Sequence, residues 1–351
     1  MVPGAEKGER ESGAGSMRVI EITRPGGPEV LRLAERPLPE PGRGELRVRV
    51  TVSGVNRADL LQRRGRYPAP PGVPPDVPGL EFSGEVDRVG EGCRLRSVGD
   101  RVMGILGGGG YSESVLLPER EAIRVPENLS LEEAGAIPEV FLTAWDALFL
   151  QAGLQAGETV LIHAVGSGVG TAALQLARAA GAITVGTSRT RAKVDRALSM
   201  GLDHGLTIDE GASWAEPVHD LLSGRGVDVI LDLVGAAYLE DNQAVLSERA
   251  RWVVVGVPGG GKGTLDLRRM MVKRASLRGT VLRARPPEEK ATLAREFERV
   301  VIPLFASARL HPVVDRILPA TKAAEAHRRM EANRSFGKLL LSWRESESHE
   351  S

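Results

Sequence analysis

The chain has 351 residues, more than one domain usually holds, and its 42% hydrophobic content is enough to bury a sizeable core. Lysine plus arginine and aspartate plus glutamate balance at 46 each, which leaves no global basic field to attract nucleic acid or an anionic membrane. A single cysteine, Cys93, excludes an internal disulfide and a cysteine-rich zinc lobe, and the six histidines show no paired ligand spacing, so no metal is expected.

Residues 1–16 lack the apolar run of a signal peptide and read as a solvated tail, as do 345–351, which points to a cytoplasmic protein. From Arg18 to about Pro126, short runs such as VIEIT, VLRLAE, ELRVRVTVSGV and EFSGEVDRV alternate with turn signals. This predicts a compact antiparallel or barrel-like β domain. A helix is expected at 57–64. The next stretch, Tyr67 to Pro78, has six prolines in twelve residues and forms a stiff exposed loop able to wall a cleft. Ser130 and Glu133 have capping-box spacing, and a second helix is expected at about 141–151.

The stretch Thr159 to Arg178, TVLIHAVGSGVGTAALQLAR, changes character midway. An apolar strand over 159–164 breaks at Gly166, Gly168 and Gly170 and continues with helical period. Its glycines and its change of period make it a poor lipid-facing helix. Strand, glycine turn and helix begin a dinucleotide-binding unit, in which a pyrophosphate sits against free N–H groups at a helix N-terminus. Beyond it, strands ending at Thr187, at 227–234, 251–257 and 276–282 alternate with helical stretches, including 191–200. Such alternation predicts a parallel sheet covered on both faces. A helix over 288–305, strand VVDRIL, a helix over 321–331 and strand FGKLLLSW follow, and these last strands are expected to return to the first domain.

About twenty residues after the glycines, an NAD site places an acid against the adenosine 2′-hydroxyl. Here the residues are Thr187, Ser188, Arg189, Thr190, Arg191 and Lys193, with no acid before Asp195. Hydroxyls and cations suit a 2′-phosphate, so NADP(H) is expected. A competing motif, Gly256 to Lys262, resembles a P-loop but has Gly263 where Ser or Thr should ligate magnesium. It reads better as a glycine loop on the carboxyl edge of the sheet.

Several motifs in order, NRADLLQRRGRY at 56–67, PGLEFSG at 78–84, GDRV at 99–102, AIPEVFLTAW at 136–145, LIHAVGSGVG at 161–170 and MEANRSFGK at 330–338, give the chain a family resemblance. It resembles the zinc-independent quinone oxidoreductases of the medium-chain dehydrogenase/reductase superfamily, relatives of zeta-crystallin, and is most similar to their tumour-suppressor-inducible branch. The resemblance implies a GroES-like catalytic domain in two segments, 17–133 and 283–344, around a Rossmann domain at 134–282, with the site between them. Zinc-dependent relatives would carry Cys near Asn56 and His at Leu80, and closer relatives of zeta-crystallin carry Gly at Ser167. A tyrosine that often holds the 2′-phosphate is Ile208 here, which shifts that task to Arg189, Thr190 and Lys193. The resemblance also implies cofactor contacts at Thr143, at Ser167, Gly168 and Val169, along Gly256, Val257, Pro258, Gly259 and Gly260, and at Asn333.

Without a metal, charge on the acceptor oxygen must meet a phenol, an amide or a hydroxyl, and the candidates are Tyr67, Asn56 and Ser167. The expected activity is hydride transfer from NADPH to a quinone. The alternatives are a zinc-free enal or enoyl reductase and an NADPH-binding redox sensor with weak turnover. The partners expected are a small-molecule acceptor and, because the strand at 276–282 would be an apolar sheet edge, a second copy of the chain.

Overall fold

The computed structural model describes residues 15–344. Apart from Gly15 and Ser16, the two tails expected from the sequence lie outside them. Strands β1 (Ser16–Ile22) and β2 (Leu31–Pro37) pair antiparallel as a separate ribbon. β3 (Glu45–Val55) is the spine of the larger β-sheet: its first half pairs with β6 (Ser114–Pro118), its middle with β4 (Glu81–Val89), and its end with the last strand of the chain. β5 (Arg101–Ile105) and β7 (Ile123–Arg124) extend the sheet beyond β4.

Helix α1 (Arg57–Arg63) follows β3 directly, close to the span expected. The capping box opens α2 (Leu131–Ala134): the Ser130 hydroxyl oxygen accepts from the Glu133 N–H, and the Glu133 carboxylate accepts from the Ser130 N–H. Helix α3 (Pro138–Trp145) begins three residues before the predicted start because Pro138, whose missing N–H costs nothing in a first turn, opens it. The chain then continues as a π-helical turn, Asp146–Gln151. There the Gln151 amide reaches back five residues to Asp146, whose buried carboxylate also receives Arg285 and Thr280.

The second sheet has the order expected of a doubly wound nucleotide-binding unit. Its strands are β8 (Thr159–Ile162), β9 (Ile183–Ser188), β10 (His204–Thr207), β11 (Val227–Asp232), β12 (Leu246–Val254) and β13 (Ser276–Gly279), all parallel, arranged 10-9-8-11-12-13. Helices α4 (Gly168–Ala179), α5 (Arg191–Ser199), α6 (Ala215–Leu221), α7 (Leu239–Ala244) and α8 (Leu267–Lys273) connect them. Strand order reverses between β8 and β11, so the crevice beyond their carboxyl ends is where a ligand fits this topology.

Several boundaries differ from the sequence reading. β8 stops at Ile162 rather than 164 because residues 163–166 already turn, with Ala164 at φ 49°. β12 starts at Leu246 and ends at Val254, and β13 ends at Gly279. The single helix expected over 288–305 is two, α9 (Pro287–Val300) and α10 (Ile302–Ala306), since Pro303 lacks the N–H that a continuous helix requires. Strand β10 and helices α6, α7 and α8 carry no strong periodicity and were not expected.

After α10 the chain returns to the first sheet as anticipated. β14 (Val314–Pro319) runs parallel to β15 (Lys338–Ser342), with α11 (Ala323–Glu331) between them, and β15 lies antiparallel to β3. One core cluster joins α3 and α4 to α9 and α10, with Phe141 and Phe305 packed edge to face at 4.8 Å. Among the described residues no helix is long and apolar enough to cross a membrane.

Candidate active site

The turn after β8 meets the other sheet directly. Gly337 N–H donates to Gly166 O at 3.0 Å, and Ser167 and Gly337 form an isolated parallel bridge. A Cβ on Gly166 would stand 3.0 Å from Phe336 and from Lys193, and one on Gly168 would stand 2.8 Å from Lys338 and Val140. Gly170 is forced from within its own unit, because a Cβ there would sit 2.4 Å from Ala164 O. Ser167 caps α4, its Oγ accepting from Gly170 N–H at 3.0 Å, which leaves its own O–H free to donate outward. Helix geometry leaves the N–H groups of Gly168 and Val169 without an intrahelical acceptor, a subsite for a pyrophosphate.

The loops after β11 and β12 line the same edge. Gly259 N–H donates to Val234 O at 2.8 Å and Ala236 N–H to Gly260 O at 2.8 Å, so Gly256, Val257, Pro258, Gly259 and Gly260 run against residues 234–237. Buried Asp232 holds this pair of loops: it accepts from the N–H groups of Val234 and Gly235 at 2.8 Å and from Trp252 Nε1 at 3.0 Å. Sequence reasoning did not single out Asp232, which lay hidden inside the apolar run VDVILDLV.

Three cations meet at the carboxyl end of β9. Arg189 is exposed and makes no ion pair among the described residues; Thr190 occupies the cap position of α5. Lys193 donates to Asn333 O at 2.7 Å, and Arg57 from α1 donates to Asn333 Oδ1. Burial, then Arg57 and Arg189, push the Lys193 ammonium below its ordinary range, and burial followed by Arg189 lowers Arg57. Asn333 takes the left-handed φ of 55° that ends α11, a conformation asparagine tolerates, and so turns both its carbonyls to these cations. Ile208 is buried and offers no donor. Arg57 was missed from sequence because only the fold carries α1 to β9.

The floor of the cleft is a buried polar network. The Lys338 ammonium, 4% exposed, donates to Val55 O at 2.9 Å and Asn56 Oδ1 at 2.8 Å, and pairs with Glu81 at 2.5 Å. Asn56 Nδ2 donates to Glu81 at 2.9 Å, and the other Glu81 oxygen accepts from Glu139 N–H at 2.9 Å. Asp59, fully buried, accepts from the N–H groups of Asn56 and Gly79 and from the Tyr111 hydroxyl; burial raises it to about 6. Glu139, in the first turn of α3, is pushed up to about 8 by burial and then by Glu81. Thr143 follows one turn later, buried. Tyr67 lies with its ring 4.5 Å from the Arg283 guanidinium, and burial raises its phenol. The structure thus joins Asn56 to the glycine turn through Lys338, and Lys193 and Arg57 to each other through Asn333, with Arg189 within electrostatic reach of both cations.

An NAD(P)-dependent oxidoreductase is the class that this two-sheet fold and its crevice define. A family model described as an alcohol dehydrogenase GroES-like domain matches residues 42–127, and one described as a zinc-binding dehydrogenase matches 168–299. A quinone oxidoreductase of Sus scrofa is 31% identical over 333 residues, 93% of this chain and 97% of that protein. The human synaptic vesicle membrane protein VAT-1 homolog is 30% identical over 341 residues, 93% and 86% of the two chains. Among solved structures, an NAD-dependent alcohol dehydrogenase superposes with TM-score 0.83 at 35% identity, and a mycobacterial protein complexed with NADPH with 0.81 at 30%. The CurK enoyl reductase gives 0.81 at 27%, and all three comparisons cover 93% of this chain and 99% of the other. The chain belongs to the medium-chain dehydrogenase/reductase superfamily.

The residues present fit a dinucleotide: the N–H groups at the start of α4 that lack intrahelical acceptors would meet a pyrophosphate, and crowded cations lie at the end of β9. They do not fit the zinc that one family description implies. Leu80 offers no donor, the Lys338 ammonium already occupies Asn56 and Glu81, and among the described residues no group of three or more His, Cys, Asp or Glu is placed to hold a metal. Removing the ammonium strands a buried carboxylate, and breaking such a pair costs about 3–5 kcal/mol. Lys338→Met is therefore expected to lower the urea midpoint strongly, and adding Glu81→Gln to recover part of the loss. A Lys338→Met midpoint equal to wild type would contradict this account.

Proposed function

We propose that the chain is a cytoplasmic NADPH-dependent quinone reductase that works without a metal, on the branch of the superfamily its motifs resemble. The observation that carries this reading is the floor of the cleft, where Asn56 and Leu80 stand in place of a cysteine and a histidine and the Asn56 amide is engaged by Lys338 and Glu81. Bound nicotinamide supplies a hydride. The residues of the chain then have to hold the cofactor, keep the acceptor beside it and meet the charge on its oxygen.

For that last task Tyr67, Asn56 and Ser167 are the donors proposed. Ser167 retains an O–H to give after capping α4, whereas Asn56 donates to Glu81 at 2.9 Å and, at a longer 3.4 Å, to Gly54 O, so that it would have to release the weaker bond to meet an acceptor. A quinone asks little of such donors because its ring delocalises the charge that hydride brings. The likeness to an enoyl reductase favours a second reading, an enal or enoyl reductase that uses the same groups. Thr143, the 256–260 loop and Asn333 are proposed along the nicotinamide half, and Ser167, Gly168 and Val169 at the pyrophosphate.

Arg57, Arg189 and Lys193 repel one another until a multiply charged anion lies among them, and the 2′-phosphate of NADPH is such an anion. Each charge-assisted hydrogen bond to it is worth about 1.5–3 kcal/mol. A homodimer is proposed through β13: the strand ends its sheet, and Leu267, Met271, Val272, Leu277 and Val281 are exposed beside that edge.

NADPH is expected to bind at least about tenfold more tightly than NADH, a gap of about 1.4 kcal/mol, and Arg189→Ala to narrow it; equal dissociation constants by fluorescence titration would end the argument. NADPH oxidation measured against ortho-quinones, para-quinones and enals should be fastest with a quinone, in a sample free of stoichiometric zinc by metal analysis. Turnover confined to enals would select the second reading, and binding without turnover on any acceptor would favour a redox sensor. Light scattering should give twice the mass of the chain at micromolar concentration, and a monomer there would dismiss the edge-to-edge dimer.

A further inference from the structure

Charged side chains from four other parts of the chain surround the first turn of α3, and each of the four is engaged. Glu81 of β4 accepts from Lys338, Asn56 and the Glu139 backbone. Asp59 of α1 accepts from two backbone N–H groups and Tyr111. Lys338 of β15 has three acceptors. Arg283, beyond β13, donates to Gln62 at 2.7 Å and to Gly107 O at 2.6 Å, and lies over the Tyr67 ring. The Glu139 carboxyl, by contrast, makes no hydrogen bond among the described residues; only the backbone N–H of this residue is engaged, by Glu81. The residue is half-buried and lies within electrostatic reach of Tyr67, Glu81 and Lys338. Its neighbour Val140 packs against Gly168 of the cofactor turn.

We propose that Glu139 is the proton donor of this site, passing its carboxylic acid proton to the reduced acceptor, a role that rests on the reductase reading above. Reduction by hydride adds one hydrogen nucleus together with the two electrons of its new bond, and so leaves a neutral acceptor with one negative charge. The O–H bond of Glu139 breaks, its electron pair stays on the carboxylate, and a new bond forms from the proton to the acceptor anion. The carboxylate then takes a proton from water through its exposed side.

The groups facing Glu139 decide when it carries that proton. Burial, Glu81 and Asp59 disfavour its charged form, and Lys338 and Arg283 oppose them. The balance holds the acid to about 8, so the donor is loaded below that pH and is lost as pH rises through it.

Glu139→Gln tests this with little risk to folding, since a neutral amide replaces a neutral acid of the same shape. Infrared titration of the protein without cofactor should show a carboxylic acid band that disappears around pH 8 in wild type and is missing from Glu139→Gln. In turnover, wild-type kcat/KM should fall above about pH 8. Glu139→Gln should be slower by about 10²-fold at pH 6.5, the low end for general acid catalysis, with a flat profile and unchanged NADPH affinity. Glu139→Asp should restore part of the rate and the falling limb. A Glu139→Gln enzyme that keeps the falling limb, or the infrared band, overturns the role while the reductase reading stands. Wild-type protein that reduces neither quinones nor enals overturns both.

Discussion

The Lys338 ammonium is the contact on which the rest of the site depends. Nearly buried, it has three protons and three acceptors, Val55 O, Asn56 Oδ1 and Glu81. Each acceptor belongs to a different part of the cleft: the end of β3, the start of α1 and the start of β4. Because Lys338 is the first residue of β15, the same contact fixes where the returning strand begins. Its neighbour Gly337 then donates to Gly166 O, so the cofactor turn is held by the same residues that neutralise the floor. A buried charge is tolerated only with such complete pairing.

At the mouth the electrostatics have the opposite character. Arg57, Arg189 and Lys193 carry like charge, and burial and mutual repulsion lower both Arg57 and Lys193. Asn333 supplies carbonyl oxygens to two of them but no countercharge. The floor is satisfied by the protein itself, whereas at the mouth Glu331 and Asp315 only partly offset the burial and repulsion that act on Arg57 and Lys193. That contrast is the physical basis of the NADPH preference proposed above.

Much of this was legible in the sequence where the signal is local. The capping box at Ser130 and Glu133, the glycine turn before α4 and the parallel β/α alternation each depend on residues within one turn or one strand of each other. The return of the last strands was legible because β15 has a strong apolar pattern. What escaped was set by distance or by weak pattern. Arg57 and Glu81 join the site only through tertiary folding, and β10, HGLT, is half-buried along its length and has no alternating face. The break at Pro303 was masked by apolar residues that continue on both sides.

Ser167 and its glycines show how one short motif answers several demands. Read as sequence, Gly166, Gly168 and Gly170 leave room for a pyrophosphate. In the fold, Gly170 is required by the carbonyl of Ala164, Gly166 by Phe336 and Lys193, and Gly168 by Lys338 and Val140. None of these needs a ligand to be present. The turn is therefore small at two positions because the other sheet approaches it and at the third because its own strand does. Residues 167 and 169 carry side chains between the three glycines: Val169 packs against the core, and Ser167 caps the helix with its oxygen while keeping a hydrogen to donate. The serine is thus a polar group at a position where packing permits a side chain, between two glycines whose Cβ atoms would be crowded.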